Sequence, residues 1–224
     1  PFTFPFRLFP NDFNSPHSIK KIMIDDPNWY PNKQINDSEI IEPINTLDLF
    51  ITRAGNYQEN VYKFAIKVLK KRYPILNSKR RGIQYTVLDP LIQSLNFTYP
   101  NIISEDDWTQ VTFKKMYGKT GLKSCMYNKI DENKQRTIDY KKETLSNFGR
   151  IFSPENIGKY SGKISKICNT IKKSKGIILI YSQFIDGGCV PIALALEELG
   201  FRRYGKNKSL LKTPTAEPID AITM

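Results

Sequence analysis

Residues 176–201 read GIILIYSQFIDGGCVPIALALEELGF, and this segment carries the strongest structural signal in the chain. The apolar run at 177–181 predicts a buried β-strand. Two polar residues follow, Ser182 and Gln183, and then a turn that contains two consecutive glycines. The next apolar run predicts a helix over 190–199 that ends at Gly200. The segment therefore predicts a strand, a loop and a covering helix.

Ser182 and Gln183 follow the predicted strand directly. In open α/β sheets, ligands bind at the carboxyl ends of the strands, so these side chains are expected at a functional site. A serine hydroxyl and a glutamine amide can both donate hydrogen bonds to phosphate oxygens. The alternative is that both side chains only satisfy backbone groups of the loop.

A further helix is predicted upstream, over 161–174. Apolar residues recur at helical spacing along one of its faces, and lysines that include Lys163 and Lys166 occupy the rest. Lys175 stands between this helix and the strand. Helix, strand and helix in this order predict half of a parallel sheet covered by helices, and hence an α/β fold.

The remaining two-thirds of the chain is predicted to be helical and rich in loops. The clearest helix covers 57–73, with one apolar stripe and an outer side that carries Lys67 and Lys71. A helix over 84–95 is interrupted by Pro90, and shorter helices are predicted over 108–116 and 137–148. A Ser-Pro pair at 153–154 marks a further helix start. A short strand is expected at 48–51.

The positive charge is concentrated in one part of the chain. The protein has 224 residues and a formal net charge of +12, and residues 114–175 hold sixteen Lys or Arg against five Asp or Glu. A cluster of this kind favours a polyanionic partner, because binding releases the partner's counterions. A solvated lysine-rich surface is the other interpretation.

Several classes of protein and site are disfavoured by composition. The chain has three widely spaced cysteines and one histidine, so we expect no metal site. The cysteines are expected as buried thiols in a reducing, intracellular compartment. Because the sequence lacks a long apolar stretch and a signal peptide, no membrane partner is expected.

A resemblance to a known family runs through residues 160–205, which read YSGKISKICNTIKKSKGIILIYSQFIDGGCVPIALALEELGFRRYG. The stretch resembles the start of the second motor domain in superfamily 2 helicases of nucleocytoplasmic large DNA viruses. These helicases are related to the large subunit of the poxvirus early transcription factor and to Swi/Snf-like translocases. Upstream, ITRAGNYQENVYKFAIKVL (51–69) and GIQYTVLDPLIQSLNFTYP (82–100) also look like family segments. The second departs from the family by having Leu91-Ile92-Gln93 where a basic residue is common.

The resemblance implies a fragment that runs from the end of one RecA-like domain to the start of the next. On this interpretation, residues 1–56 end the first motor domain, 57–152 form a basic helical joining segment, and 153–224 begin an incomplete RecA-like half-domain. It implies contact with the nucleic-acid backbone through Ser182 and Gln183, helped by Lys163, Lys166 and Lys175. The implied partners are nucleic acid bound without sequence preference, the rest of the helicase, and viral transcription machinery in the virion or host cytoplasm.

ATP and Mg²⁺ are implied only for a complete motor. A phosphate-binding loop needs spaced glycines before Gly-Lys-Ser/Thr, and Gly118-Lys119-Thr120 lacks them. No acidic magnesium-binding box is recognisable either, so we expect no catalytic residues, cofactor or metal in this chain. Two alternatives remain open: a stand-alone nucleic-acid-binding or scaffold protein that uses residues 114–175, and an independent small-molecule enzyme.

Overall fold

The structure, a computed structural model, describes residues 51–73, 85–174, 178–205, 208–214 and 216–219. The chain divides into two compact units, Pro1–Ile51 and Thr52–Met224. The predictions made for residues 1–50 and for Lys175 lie outside the described residues.

The described elements are mainly helices with one small sheet. The first four helices are α1 (Asn56–Arg72), α2 (Tyr85–Asn96), α3 (Gln110–Lys114) and α4 (Gly118–Cys125). A hairpin follows, with strands β1 (Met126–Ile130) and β2 (Arg136–Tyr140). The later helices are α5 (Lys142–Phe148), α6 (Ile157–Tyr160), α7 (Gly162–Ile171) and α8 (Val190–Glu198). A 3₁₀ turn lies at Glu105–Asp107 and a π-helix at Ile185–Cys189. None of the described helices combines the length and the apolarity needed to cross a lipid bilayer.

The four longest helices confirm the sequence predictions. In α1, Val61, Ala65 and Leu69 are buried at a spacing of four residues, so the apolar stripe packs inward. The helix α2 forms as predicted, but it runs through Pro90 as one helix and does not restart there. Both α7 and α8 lie where the apolar periodicity placed them.

The hairpin corrects the helix predicted over 137–148. Strand β2 pairs with β1 in antiparallel register, Met126 opposite Tyr140 and Ile130 opposite Arg136. Ile138 and Tyr140 are buried on one side of β2, which is the two-residue period of a half-buried strand. Only the second half of the predicted helix forms, as α5. A strand and a helix joined end to end produced the weak period that suggested one helix.

The sheet gains one parallel contact from the C-terminal part of the chain. The Ile138 amide donates to the Leu210 carbonyl (2.7 Å), and the Lys212 amide donates to the Ile138 carbonyl (2.9 Å). The described residues thus form a helix-rich mixed fold with a small antiparallel sheet. They contain no parallel sheet of the RecA-like kind.

The buried strand predicted at 177–181 is wrong for the residues that are described there. Residues 178–181 have no regular secondary structure. Leu179 is 84% exposed and Tyr181 is 86% exposed. An apolar run becomes a buried strand only if neighbouring strands satisfy its backbone and cover its side chains. The described part of the chain provides no such neighbours for this run.

The main core is built from aromatic and aliphatic side chains that lie between Phe97 and Leu211. Phe97 stacks on Phe152 with ring centroids 4.7 Å apart, and Tyr99 packs edge-on against Phe97 at the same distance. A second cluster lies under α1 and contains Val61, Ala65 and Trp108. Residues on both sides of position 152 contribute to the main core. The predicted division of the chain at residues 56 and 152 stays a prediction.

Candidate nucleic-acid interface

Ser182 lies in the segment that leads into the π-helix and is half-buried. Its Oγ accepts a hydrogen bond from the Phe184 amide and donates one to the Phe184 carbonyl, both at 3.2 Å. Gly188 packs directly against it, and a Cβ at that position would collide with the Ser182 Oγ. The hydroxyl therefore holds the loop in shape, which is the alternative role that the sequence left open.

Gln183, the next residue, is exposed. The Ser182 hydroxyl, by contrast, makes its hydrogen bonds within the loop. Of the two predicted strand-end residues, Gln183 is therefore the more exposed.

The π-helix is fixed from two sides. The Arg136 guanidinium donates through Nη2 to the Asp186 carboxylate at 2.6 Å and through Nε to the Asn128 side chain at 3.0 Å. The Tyr99 hydroxyl lies 3.4 Å from the Asp186 carbonyl, to which it donates. Burial raises the pKa of Tyr99 well above its usual range, so this hydroxyl stays protonated and remains a donor. The hairpin and the core thus position the loop that carries Gln183.

Gln93 of α2 joins this loop to the start of α4. A Cβ on Gly187 or on Gly118 would lie 2.5 Å from the Gln93 Oε1 atom, so both glycines pack against the same amide. The two glycine Cα atoms are each within about 4 Å of that oxygen. Lys119 and Thr120 are exposed beside it. Two segments that are distant in sequence, 118–120 and 182–188, therefore meet.

This junction does not provide a nucleotide cradle. The helix α4 follows a turn after α3, whereas a phosphate-binding loop follows a strand. Gly118 packs against the side chain of Gln93. ATP and Mg²⁺ do not fit these residues. Across the described ranges, no group of three His, Cys, Asp or Glu side chains is placed to hold a metal ion.

Lys163 and Lys166 lie on α7, which starts against the end of α2. The Lys163 ammonium donates to the Asn96 side chain (2.7 Å), and its desolvation there lowers the pKa of Lys163. The Ser161 hydroxyl accepts from the Ile164 amide and donates to the Asn96 carbonyl. Lys166 is exposed one turn further on. Lys163 and Lys166 thus lie about one turn apart on α7, whereas Ser182 lies beside the π-helix.

Most of the positive charge between residues 114 and 174 is not neutralised by neighbouring carboxylates. In this fully described range, Arg136 and Arg150 are the only two of fifteen basic residues in ion pairs. Twelve lysines are exposed: Lys114, Lys115, Lys119, Lys123, Lys129, Lys134, Lys142, Lys159, Lys163, Lys166, Lys172 and Lys173. The surface is therefore strongly positive as well as basic in composition.

A groove beside α1 was not foreseen from the sequence. Its volume is about 680 Å³, and Phe64, Val68 and Trp108 line it together with Lys67, Lys71, Arg72, Thr109 and Gln110. We call it the α1 groove. The sequence placed Lys67 and Lys71 on a solvated helix side. Their spacing of four residues showed that they share a face, but nothing local showed that Trp108 lies opposite.

Comparison with known proteins gave no match. No family model, curated protein or solved structure is significantly similar to this chain. The helicase resemblance therefore stays a prediction, and a functional conclusion has to depend on charge and geometry.

Proposed function

We propose that this chain binds the sugar–phosphate backbone of nucleic acid without sequence preference, as part of an ATP-dependent superfamily 2 helicase or translocase. The observation that carries the proposal is the set of twelve exposed lysines in 114–174, none of which forms an ion pair with a described carboxylate. Such a surface attracts a polyanion because every phosphate it neutralises releases counterions. The helicase part of the proposal depends in addition on the sequence resemblance, which favours a viral, transcription-linked motor.

Within this proposal, the residues have distinct roles. The Gln183 amide and the ammonium groups of Lys163, Lys166 and Lys175 contact phosphate oxygens. Ser182 holds the loop from which Gln183 projects. Contacts of this kind position a strand of nucleic acid and read no bases.

The proposal also includes the RecA-like architecture. The apolar residues at 178–181 would add to a parallel sheet that the rest of the motor supplies. In support, Leu179 and Tyr181 are apolar and yet 84% and 86% exposed, and apolar side chains grouped in this way favour a covering partner. The remainder of the helicase is the partner that the proposal assigns to them.

A binding titration tests the proposal. The chain is added to a fluorescein-labelled DNA oligonucleotide, and anisotropy is followed between about 50 and 200 mM salt. We expect the logarithm of the affinity to fall linearly with the logarithm of the salt concentration, by about 0.7–0.9 for each contacted phosphate. Gln183→Ala and the double variant K163Q/K166Q should each weaken binding.

The matched control is K172Q/K173Q, which removes the same charge just beyond the end of α7. We expect it to bind more tightly than K163Q/K166Q. Failure of the unmodified chain to bind at about 50 mM salt would overturn the proposal, since electrostatic binding is strongest there.

The second candidate is a stand-alone nucleic-acid-binding or scaffold protein. It is favoured by the compact unit Thr52–Met224, which has its own core. The two candidates differ in what the reading frame encodes on either side. A helicase requires a Walker-type loop and an acidic box before this segment and a Gly-Arg-containing motif after it. Absence of all three would favour the stand-alone protein.

A further inference from the structure

The α1 groove combines a cationic wall with an apolar floor. Lys67, Lys71 and Arg72 come from the last two turns of α1, and Phe64 and Trp108 form the floor. Trp108 is held in place because its Nε1 donates to the Ile103 carbonyl at 3.1 Å and its ring packs edge-on against Phe64 at 5.6 Å. The described lining contains three cations and no carboxylate.

Two acidic residues near α1 are engaged at the other end of the helix. Glu59 pairs with Lys63 at 2.6 Å, and the Glu105 carboxylate accepts from the Asn60 amide at 3.0 and 3.1 Å. Asp106 and Asp107 are exposed just before Trp108 and do not line the groove. The Arg72 guanidinium lies over the Tyr73 ring, 5.4 Å from its centroid. Burial raises the pKa of Tyr117, and the positive charge of Arg72 partly offsets that rise. The lining itself is therefore cationic.

We propose that the α1 groove is a second contact site for one strand of nucleic acid, which lays its sugar–phosphate backbone along Lys67, Lys71 and Arg72. This inference rests on the proposed function and adds a surface outside residues 114–175. Nucleic acid is the occupant that the groove favours because its charges are regularly spaced along a narrow chain.

The spacing of the cations supports this occupant. From Lys67 to Arg72 the axis of α1 rises by about 7.5 Å. One strand of duplex DNA carries a charge about every 3.4 Å along its axis, so two or three phosphates match the three cations. The groove volume of about 680 Å³ leaves room for the sugars as well.

Two double variants on the same helix test the inference. K67Q/K71Q removes two charges from the groove, and K63Q/K70Q removes two charges of α1 that do not line it. With the fluorescein-labelled oligonucleotide, we expect K67Q/K71Q to bind about 10-fold more weakly and its salt slope to fall by about 2. K63Q/K70Q should keep the slope of the unmodified chain to within about one unit. Unfolding midpoints in urea verify that both variants are folded.

A second measurement reports on the groove directly. Trp29 and Trp108 are the two tryptophans of the chain, so W29F leaves Trp108 as the only indole. In that background, we expect the oligonucleotide to change the Trp108 emission. K67Q/K71Q should abolish the change at the concentration that saturates the parent chain.

The outcomes separate this inference from the proposed function. If the unmodified chain binds and the two double variants behave alike, the groove assignment is overturned and the proposed function survives. If the unmodified chain does not bind, both fail. If poly-glutamate displaces the oligonucleotide at equal charge concentration and quenches Trp108 equally, the groove is a site for acidic proteins and the assignment is overturned.

Discussion

Gln58 shows at the level of one residue how this fold is held together. It is 2% exposed, its Nε2 donates to the Ser94 and Leu95 carbonyls at 3.0 and 3.1 Å, and its Oε1 accepts from the Gly162 amide at 3.1 Å. The last carbonyls of α2 and the first amide of α7 have no partner within their own helices. One buried amide satisfies both helix ends, and it joins α1, α2 and α7.

Replacement of this residue should be costly. Gln58→Leu keeps the size of the side chain but removes the side-chain partner of the Leu95 carbonyl and the Gly162 amide. The Ser94 carbonyl still accepts from the Thr98 hydroxyl. We expect the free energy of unfolding to fall by about 1–3 kcal/mol. Urea denaturation followed by circular dichroism measures the loss. Asn60→Leu, an amide-to-leucine change on the exposed side of the same helix, should stay within about 0.5 kcal/mol. Equal effects of the two variants would contradict the assigned role.

At the level of elements, the apolar segment 178–181 differs from every predicted helix that formed. A helix satisfies its own backbone, so a correct apolar period is enough to place it. A strand depends on partners, and the described residues offer this segment none. Leu179 is consequently 84% exposed, whereas Leu194 of α8 is fully buried.

These two leucines provide a matched test. Leu194→Ala should lower the free energy of unfolding by about 2–5 kcal/mol, because it opens a cavity in the core. Leu179→Ala should change it by less than about 0.5 kcal/mol. In addition, Leu179→Glu should reduce self-association in light scattering, since it breaks the exposed apolar run. A large loss of stability in Leu179→Ala would show that the segment is packed after all.

Across the whole molecule, several thiol and phenol groups lie in the core, and burial raises their pKa values. Burial raises the pKa of the Cys168 thiol to about 11 and also raises the pKa values of Cys125, Tyr57 and Tyr140. In the unfolded chain, thiols lose their protons near pH 8.5, so above that pH the native state holds more protons than the unfolded state. The corresponding stability is complete at neutral pH and is lost as the pH rises.

We therefore expect the free energy of unfolding to fall steadily between about pH 9 and 11. Urea titrations at a series of pH values measure this slope. Cys168→Ala should reduce the slope because one buried proton is removed. A slope that is the same in the unmodified protein and in Cys168→Ala would contradict the assignment to Cys168.

Local sequence patterns are sufficient to predict the main helices and the concentration of positive charge. Each depends on local spacing or composition: α1 on the four-residue recurrence of Val61, Ala65 and Leu69, and α8 on an apolar run that ends in glycine. These features can be predicted without knowing which residues pack against them.

Other features follow from contacts between distant parts of the chain and are visible only in the folded protein. Ile138 bridges to Leu211, Gly187 packs against Gln93, and Lys67 lines the α1 groove together with Trp108. Strand pairing and groove formation each require two separate segments to pack together. One local sequence pattern is compatible with many possible packing partners. For that reason the sequence indicated which residues carry charge, and the fold decided which of them share a site.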